Sequence, residues 1–302
     1  MKPLLLLFVC LSLALADGDL TDAQKTELNR LLDQLGNDDW EVRERATMAL
    51  RNAIASGRPI VIYLAERMKS PDLEVRDRVR GLLLDTGQWD ASPELLAEKA
   101  QAFVADCEAR EMVAWYIDAN VEPSPAMTEE SQRTLAILLR NPAGIEAVLG
   151  PFEKKGEIYR RNVAWIVATN LSPGAANLLL KASEDADYMV RAFAAYGWGR
   201  LADGAYLGSL QVLTTDKNGI VRAAAAIAIE RLPDVGDVPV LLTLLGDEEP
   251  MVRYHAFYTL ARLTGRDGGY DAWYPAARRE TAIAGWRQWW EENKATWEPG
   301  KK

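Results

Sequence analysis

Apolar residues return along this chain in a phase that repeats. An acidic or amide residue, two variable positions and then Val-Arg occur as Asp39-Trp40-Glu41-Val42-Arg43, Asp72-Leu73-Glu74-Val75-Arg76 and Asp187-Tyr188-Met189-Val190-Arg191. The pattern returns as Asn218-Gly219-Ile220-Val221-Arg222 and Glu249-Pro250-Met251-Val252-Arg253, with a weaker copy in Gly156-Glu157-Ile158-Tyr159-Arg160. The Val advances by 33 residues from 42 to 75; Tyr159 and the later Val residues then advance by 31 each time, from 159 through 190 and 221 to 252. Four positions later stand Ala46, Val79, Val163, Ala194, Ala225 and Ala256, and eight positions later Leu50, Leu83, Val167, Trp198, Ile229 and Leu260. Positions zero, four and eight share one face of a helix. The acid or amide ahead of them suits an N-cap, and Pro250 suits the first helical turn.

A second apolar stretch precedes each of these helices, for example Leu31-Leu32 with Leu35, Leu178-Leu179-Leu180, and Val240-Leu241-Leu242 with Leu244-Leu245. Each repeat is thus a helix pair. One pair cannot bury its own apolar face, so neighbours must stack into a continuous core. The predicted fold is an all-α solenoid of stacked antiparallel helix pairs.

The D-x-x-V-R-x-x-A pattern at this step resembles HEAT repeats, in particular the short type first associated with phycobilisome lyases. The resemblance covers residues 26–86 and 143–264. Gly156, Tyr159, Asn218 and Glu249 depart from the pattern and are expected to weaken individual caps. It implies an interaction or scaffolding role. Its lyase branch implies an alternative, a lyase or chaperone-type factor acting on a tetrapyrrole chromophore.

The organisation read from the chain is residues 1–16 as an export signal, 17–86 and 143–264 as repeats, 87–142 as an irregular joint or degenerate repeat, and 265–302 as a cap and tail. Within the joint, 93–106, 108–118 and 128–140 read as helical, with a loop around Pro123 and Pro125. In the tail, a glycine-rich turn at Gly265, Gly268 and Gly269 precedes a helix over about 276–293. Ile283, Trp286, Trp289 and Trp290 line one face of that helix, as a cap closing an open core requires.

Met1-Lys2, an apolar run over 3–15 and the small-residue exit Ala14-Leu15-Ala16 are the three parts of a secretory signal. The run is shorter than the roughly 20 residues of a membrane span. The expectation is a periplasmic or secreted protein beginning near Asp17. Lipidation at Cys10 is disfavoured by Val9, which stands where a small residue is wanted. Signal removal leaves Cys107 as the single cysteine, expected to be a buried, inert thiol.

The net charge of −9 lacks the basic footprint that phosphate backbones select, so nucleic acid is not an expected partner; a protein of unspecified identity is. The chain has one histidine, His255, too few for a multi-histidine metal site. It falls three residues after Val252, inside a repeat helix, and reads as a packed flank residue. The paired acids Asp38-Asp39, Glu129-Glu130 and Glu291-Glu292 read as solvated surface, and Asp216 and Asp247 as caps in inter-helix turns. No catalytic residue, metal or cofactor is expected.

Two columns remain. Arg43, Arg76, Arg160, Arg191, Arg222 and Arg253 hold one register and are read as a structural ladder, each guanidinium satisfying carbonyls or acids of its own and the adjacent repeat. A cationic ligand track is the alternative. Six residues after each motif position come Met48, Gly81, Trp165, Tyr196, Ile227 and Tyr258, about 240° around the helix from the core position. An exposed position there would ordinarily be polar. The stripe Trp165, Tyr196, Ile227 and Tyr258, with Tyr254 at its edge, is a candidate groove for a peptide or small ligand. Packing between neighbouring second helices is the competing explanation.

Overall fold

The computed structural model describes residues 19–109, 113–114, 124–125, 129–171, 175–232 and 236–298. The expected export signal (1–16), the loop expected around Pro123 apart from 124–125, and the last four residues lie outside them. The chain divides into two compact units, Met1–Lys99 and Ala100–Lys302.

In the first unit, α1 (Asp22–Leu35) and α2 (Trp40–Ile54) form one helix pair. α3 (Arg58–Ala65), extended by a single 3-10 turn, and α4 (Leu73–Asp85) form the next. Short connections force such neighbours antiparallel. The caps follow the sequence: Asp39 accepts from the Glu41 N–H, and Asp72 from those of Glu74 and Val75. Ala46, Leu50, Val79 and Leu83 are sealed in the core, Val75 is buried and Val42 half-buried.

α5 (Pro93–Ala109) contains the boundary between the units. The helix expected over 108–118 is not formed throughout: Val113–Ala114 is a strand, β1, paired antiparallel with β2 (Ser124–Pro125). Residues 110–112 and 115–118 lie outside the described set.

The second unit continues with α6 (Glu129–Leu138), α7 (Pro142–Leu149) and α8 (Glu157–Asn170). Three helix pairs follow: α9 (Ala175–Ser183) with α10 (Tyr188–Leu201), α11 (Leu207–Leu213) with α12 (Gly219–Ile229), and α13 (Asp237–Leu244) with α14 (Pro250–Thr264). The second helices α8, α10, α12 and α14 pack in series, each against the next. Tyr159, Val190, Val221 and Val252 occupy equivalent, fully buried places, as do the residues four and eight positions on. The architecture is an all-α solenoid.

Small residues let these second helices approach closely. A Cβ on Gly199 would lie 2.9 Å from the Cα and Cβ of Ala228 in α12, and one on Gly197 would lie 3.1 Å from the Cα of Ala168 in α8. At the next junction the Thr259 hydroxyl donates to the Ala226 carbonyl at 3.0 Å, a buried bond between α14 and α12.

Three of the four departures from the repeat pattern act as expected or neutrally, and one does not. Gly156 and Glu249 make no side-chain cap bond. Asn218 is a full cap, its Oδ1 accepting from the Ile220 N–H at 2.8 Å, because an amide oxygen serves there as well as a carboxylate does. Tyr159 stays in the core and donates its hydroxyl to the Val148 carbonyl at 2.5 Å. Burial, with the negative charge near Cys107 and Glu108, pushes that phenol well above its ordinary pKa.

Gly265 ends α14 in the left-handed region, and the tail folds back. Gly268, also at positive φ, passes so close to the Trp286 indole that no Cβ fits. The closing helix, α15 (Ala276–Asn293), buries Ile283, Trp286 and Trp290 and leaves Trp289 half-buried. Tyr270 donates to the Leu245 carbonyl at 2.5 Å and so pins the loop between α14 and α15 onto the last repeat. Among the described residues no helix is long and apolar enough to cross a membrane.

Candidate functional site

The arginine column is built from three kinds of contact. Each Arg follows its N-cap by four residues, so its side chain reaches back over the preceding turn. Arg191 Nη1 donates to the carbonyls of Asp185 and Ala186, Arg222 Nη1 to that of Asp216, and Arg253 Nη1 to those of Asp247 and Glu248. The remaining guanidinium face then meets an acid of the following repeat as a two-pronged fork: Arg160 with Asp185, Arg191 with Asp216 at 2.7 and 2.9 Å, and Arg222 with Asp247 at 2.7 Å on both prongs. Each of these acids stands five residues before the next motif position and also accepts the N–H two residues on: Asp185 from Asp187, Asp216 from Asn218, Asp247 from Glu249. One carboxylate thereby fixes its own turn and ties it to the previous repeat.

The Arg191–Asp216 and Arg222–Asp247 pairs are nearly sealed, with side-chain exposures of 7% and 9% for Arg191 and Asp216. Burial alone would push the Asp216 carboxyl up. The hydrogen bond from Arg191, the Asn218 amide and the Arg191 charge outweigh it and hold the carboxyl below the usual range. Asp187 is likewise pushed up by burial and carried down overall by Arg161 and by the Val190 and Met189 amides.

The column changes at its ends. Arg253 has no following Asp; its Nε donates instead to the Ala272 carbonyl in the tail loop at 2.9 Å. In the first unit Arg43 donates to the Asn37 and Asp38 carbonyls but lies 3.7 Å from Glu74, a loose contact. The Arg76 side chain makes no hydrogen bond or ion pair among the described residues.

The aromatic stripe is graded. Trp165 is only 5% exposed, Tyr196 and Ile227 are half-buried, and Tyr258 is 37% exposed. Among the described residues Trp165 Nε1 and Tyr196 Oη have no hydrogen-bond partner. Tyr254 stacks at 6.4 Å on Tyr258, one turn along α14, and meets Trp273 at 5.3 Å. Trp273 is 61% exposed, comes from the tail loop, and extends the stripe beyond the repeats. Counting within repeats does not find it; the visible signal is a large aromatic in the polar Gly-rich turn region. In the first unit the same register holds Met48, which is exposed, and Gly81. The stripe is therefore buried at its Trp165 end and open at its Tyr258 end.

His255 is fully buried, edge-on to Tyr254 at 5.2 Å. Cys107 is buried, and its carbonyl accepts from Asn162 at 2.8 Å. Among the described residues no group of three or more His, Cys, Asp or Glu is placed to hold a metal ion.

Comparison with known families matches residues 206–272 to HEAT repeats. No curated protein matches the chain. Among solved structures, a designed armadillo repeat protein is 16% identical, with a TM-score of 0.35 over 77% of this chain and 98% of that one. Computationally designed armadillo repeat proteins for modular peptide recognition give 17% identity and a TM-score of 0.36 over 77% of this chain and 98% of theirs. Human deoxyhypusine hydroxylase gives 16% and 0.31, over 69% of this chain and 96% of that one.

Proposed function

Taking the chain as a HEAT-repeat protein, we propose that it is a non-catalytic interaction module that holds a protein partner on the second-helix face of its C-terminal unit and acts outside the cytoplasm. One observation carries the reading. At a single register of successive repeats, Tyr196, Ile227 and Tyr258 are neither sealed in the core nor replaced by polar residues, and Trp273 joins them at the open end. Contiguous exposed aromatic surface is costly to leave bare and makes effective anchors, since rigid rings bury a large area with little loss of side-chain freedom. The stack of repeats supplies a rigid frame for such a surface. Action outside the cytoplasm is supported by the charged start, apolar run and small-residue exit of residues 1–16.

Replacing Tyr196 and Tyr258 together by Ser tests the site. The expected outcome is loss of partner capture in an affinity experiment, with the melting temperature close to that of the parent. A double variant that no longer folds would assign the stripe to helix packing instead. Fusing residues 1–16 to a periplasmic reporter tests the compartment; a reporter that stays in the cytoplasm would overturn that part.

A further inference from the structure

Resting on the interaction reading above, we infer that the second-helix face receives an extended peptide bearing acidic side chains. A second row runs beside the aromatic stripe. Arg200, Arg231 and Arg262 follow Tyr196, Ile227 and Tyr258 by four residues each and repeat at the same 31-residue step. Residues four apart on a helix are neighbours on one face. Arg200 lies over the Tyr196 ring at 6.0 Å from its centroid, and Arg262 over Tyr258 at 5.8 Å. Arg231 sits in the turn just past α12, exposed, and among the described residues no acid pairs with it. A large aromatic or aliphatic side chain is thus followed by a cation at each of the three repeats.

The structure already holds one carboxylate on this row. Glu230 Oε1 is 2.6 Å from Arg262 Nε, reaching across from the preceding repeat, while the Arg262 side chain stays 61% exposed. Among the described residues its outer nitrogens make only a 3.4 Å contact, between Nη1 and the Tyr258 hydroxyl. A partner carboxylate has the same donors to use. The row stands on a chain of net charge −9, so an acidic partner is repelled by much of the surface and drawn to this line, which fixes where and how it docks. Packed helices lie roughly 8–10 Å apart, and an extended chain in the polyproline II form advances about 3.1 Å per residue and brings every third side chain back to the same face. A carboxylate at every third residue therefore meets successive arginines, and apolar residues between them settle on the stripe. Arginines near helix C-termini also answer the helix dipole, and the test separates that role from binding.

The experiment is fluorescence anisotropy on the full chain with labelled peptides of about 12 residues. One is a repeat of Asp-Leu-Ala; the others carry Asn or Lys in place of Asp. The expected result is that the Asp peptide binds at least about tenfold more tightly than the Asn peptide. That margin disappears in the R200Q/R231Q/R262Q variant and shrinks as salt rises from about 50 to about 300 mM. Equal affinity for the three peptides, preference for Lys, no binding of any of them, or a margin untouched by the triple variant would each overturn the inference. Partner loss in the Tyr196→Ser, Tyr258→Ser variant, alongside any of those results, would leave the interaction reading standing. If the triple glutamine variant fails to fold, the salt dependence of the unaltered chain and the R200K/R231K/R262K variant, which keeps the charge, decide the matter.

Discussion

Arg43 and Arg222 hold the same register in the two units, yet one is loosely tethered and the other locked. Arg222 forks onto Asp247, and both side chains are 9% exposed. Arg43 keeps the carbonyl contacts of its own turn but has only Glu74 at 3.7 Å in the next repeat. The difference lies in one position. Five residues before the following motif Val, the second unit has Asp216 and Asp247, with Asp185 at the preceding junction; the first unit has Ser70. Ser70 still performs the local half of the task, accepting from the Asp72 N–H at 3.2 Å. A hydroxyl has no charge to hold a guanidinium, so the tie between repeats is missing. The turn is thus specified locally, while attachment of one repeat to the next needs the acid.

Removing one partner of each arginine contact breaks the comparison most sharply. Arg222→Ala leaves Asp247 sealed and unpaired, and the expected loss is about 3–5 kcal/mol. Arg43→Ala, with a half-exposed and loose partner, is expected to lose less than about 1 kcal/mol. Chemical denaturation of both variants reads the difference; equal losses would show that the fork adds nothing to the carbonyl contacts.

Acid provides the next test. Asp187 and Asp216 are held below the ordinary carboxylate range in the folded chain. The folded state therefore binds fewer protons than the unfolded state in this range. Their contribution is complete above the unfolded value of about 3.9 and drains away as pH falls below it through the lower folded values. Asp216→Asn should thus lower stability at neutral pH and flatten the acid limb between about pH 4 and 2. An acid limb as steep as the parent's would remove Asp216 from the account.

The smallest effect comes from repairing the first unit. Ser70→Asp supplies the missing carboxylate near Arg43 and is expected to raise stability by up to about 1 kcal/mol, seen as a small upward shift in melting temperature. The step there is 33 residues rather than 31. No gain would mean that the two extra residues carry position 70 out of reach.

Much of the fold was legible because burial leaves a period. Val, Ala and the large apolar residue at zero, four and eight are the positions that cannot change without opening the core, so they mark each second helix directly. The strand at Val113–Ala114 left no such mark: two paired residues are too few to show alternation, and a helical reading of 108–118 filled the space. At the candidate site, the stripe was legible as a register, but its gradient from buried Trp165 to open Tyr258 was not. That gradient depends on what each repeat has beside it. Trp273 escaped notice because a loop, and no repeat, brings it to Tyr254. Asn218, placed among the departures expected to weaken caps, caps in full, because a cap needs only an oxygen.

The last rung of the ladder is written in backbone. Arg253 donates its Nε to the Ala272 carbonyl, a group that every amino acid carries, so no exchange of side chain at 272 can delete the acceptor itself. Only a change in the path of the loop can do that, and the path is set by Gly265, by Gly268 against Trp286, and by the Tyr270 tether. The final junction is consequently vulnerable through its geometry: a substitution at a glycine several residues away can unfasten an arginine that it never touches.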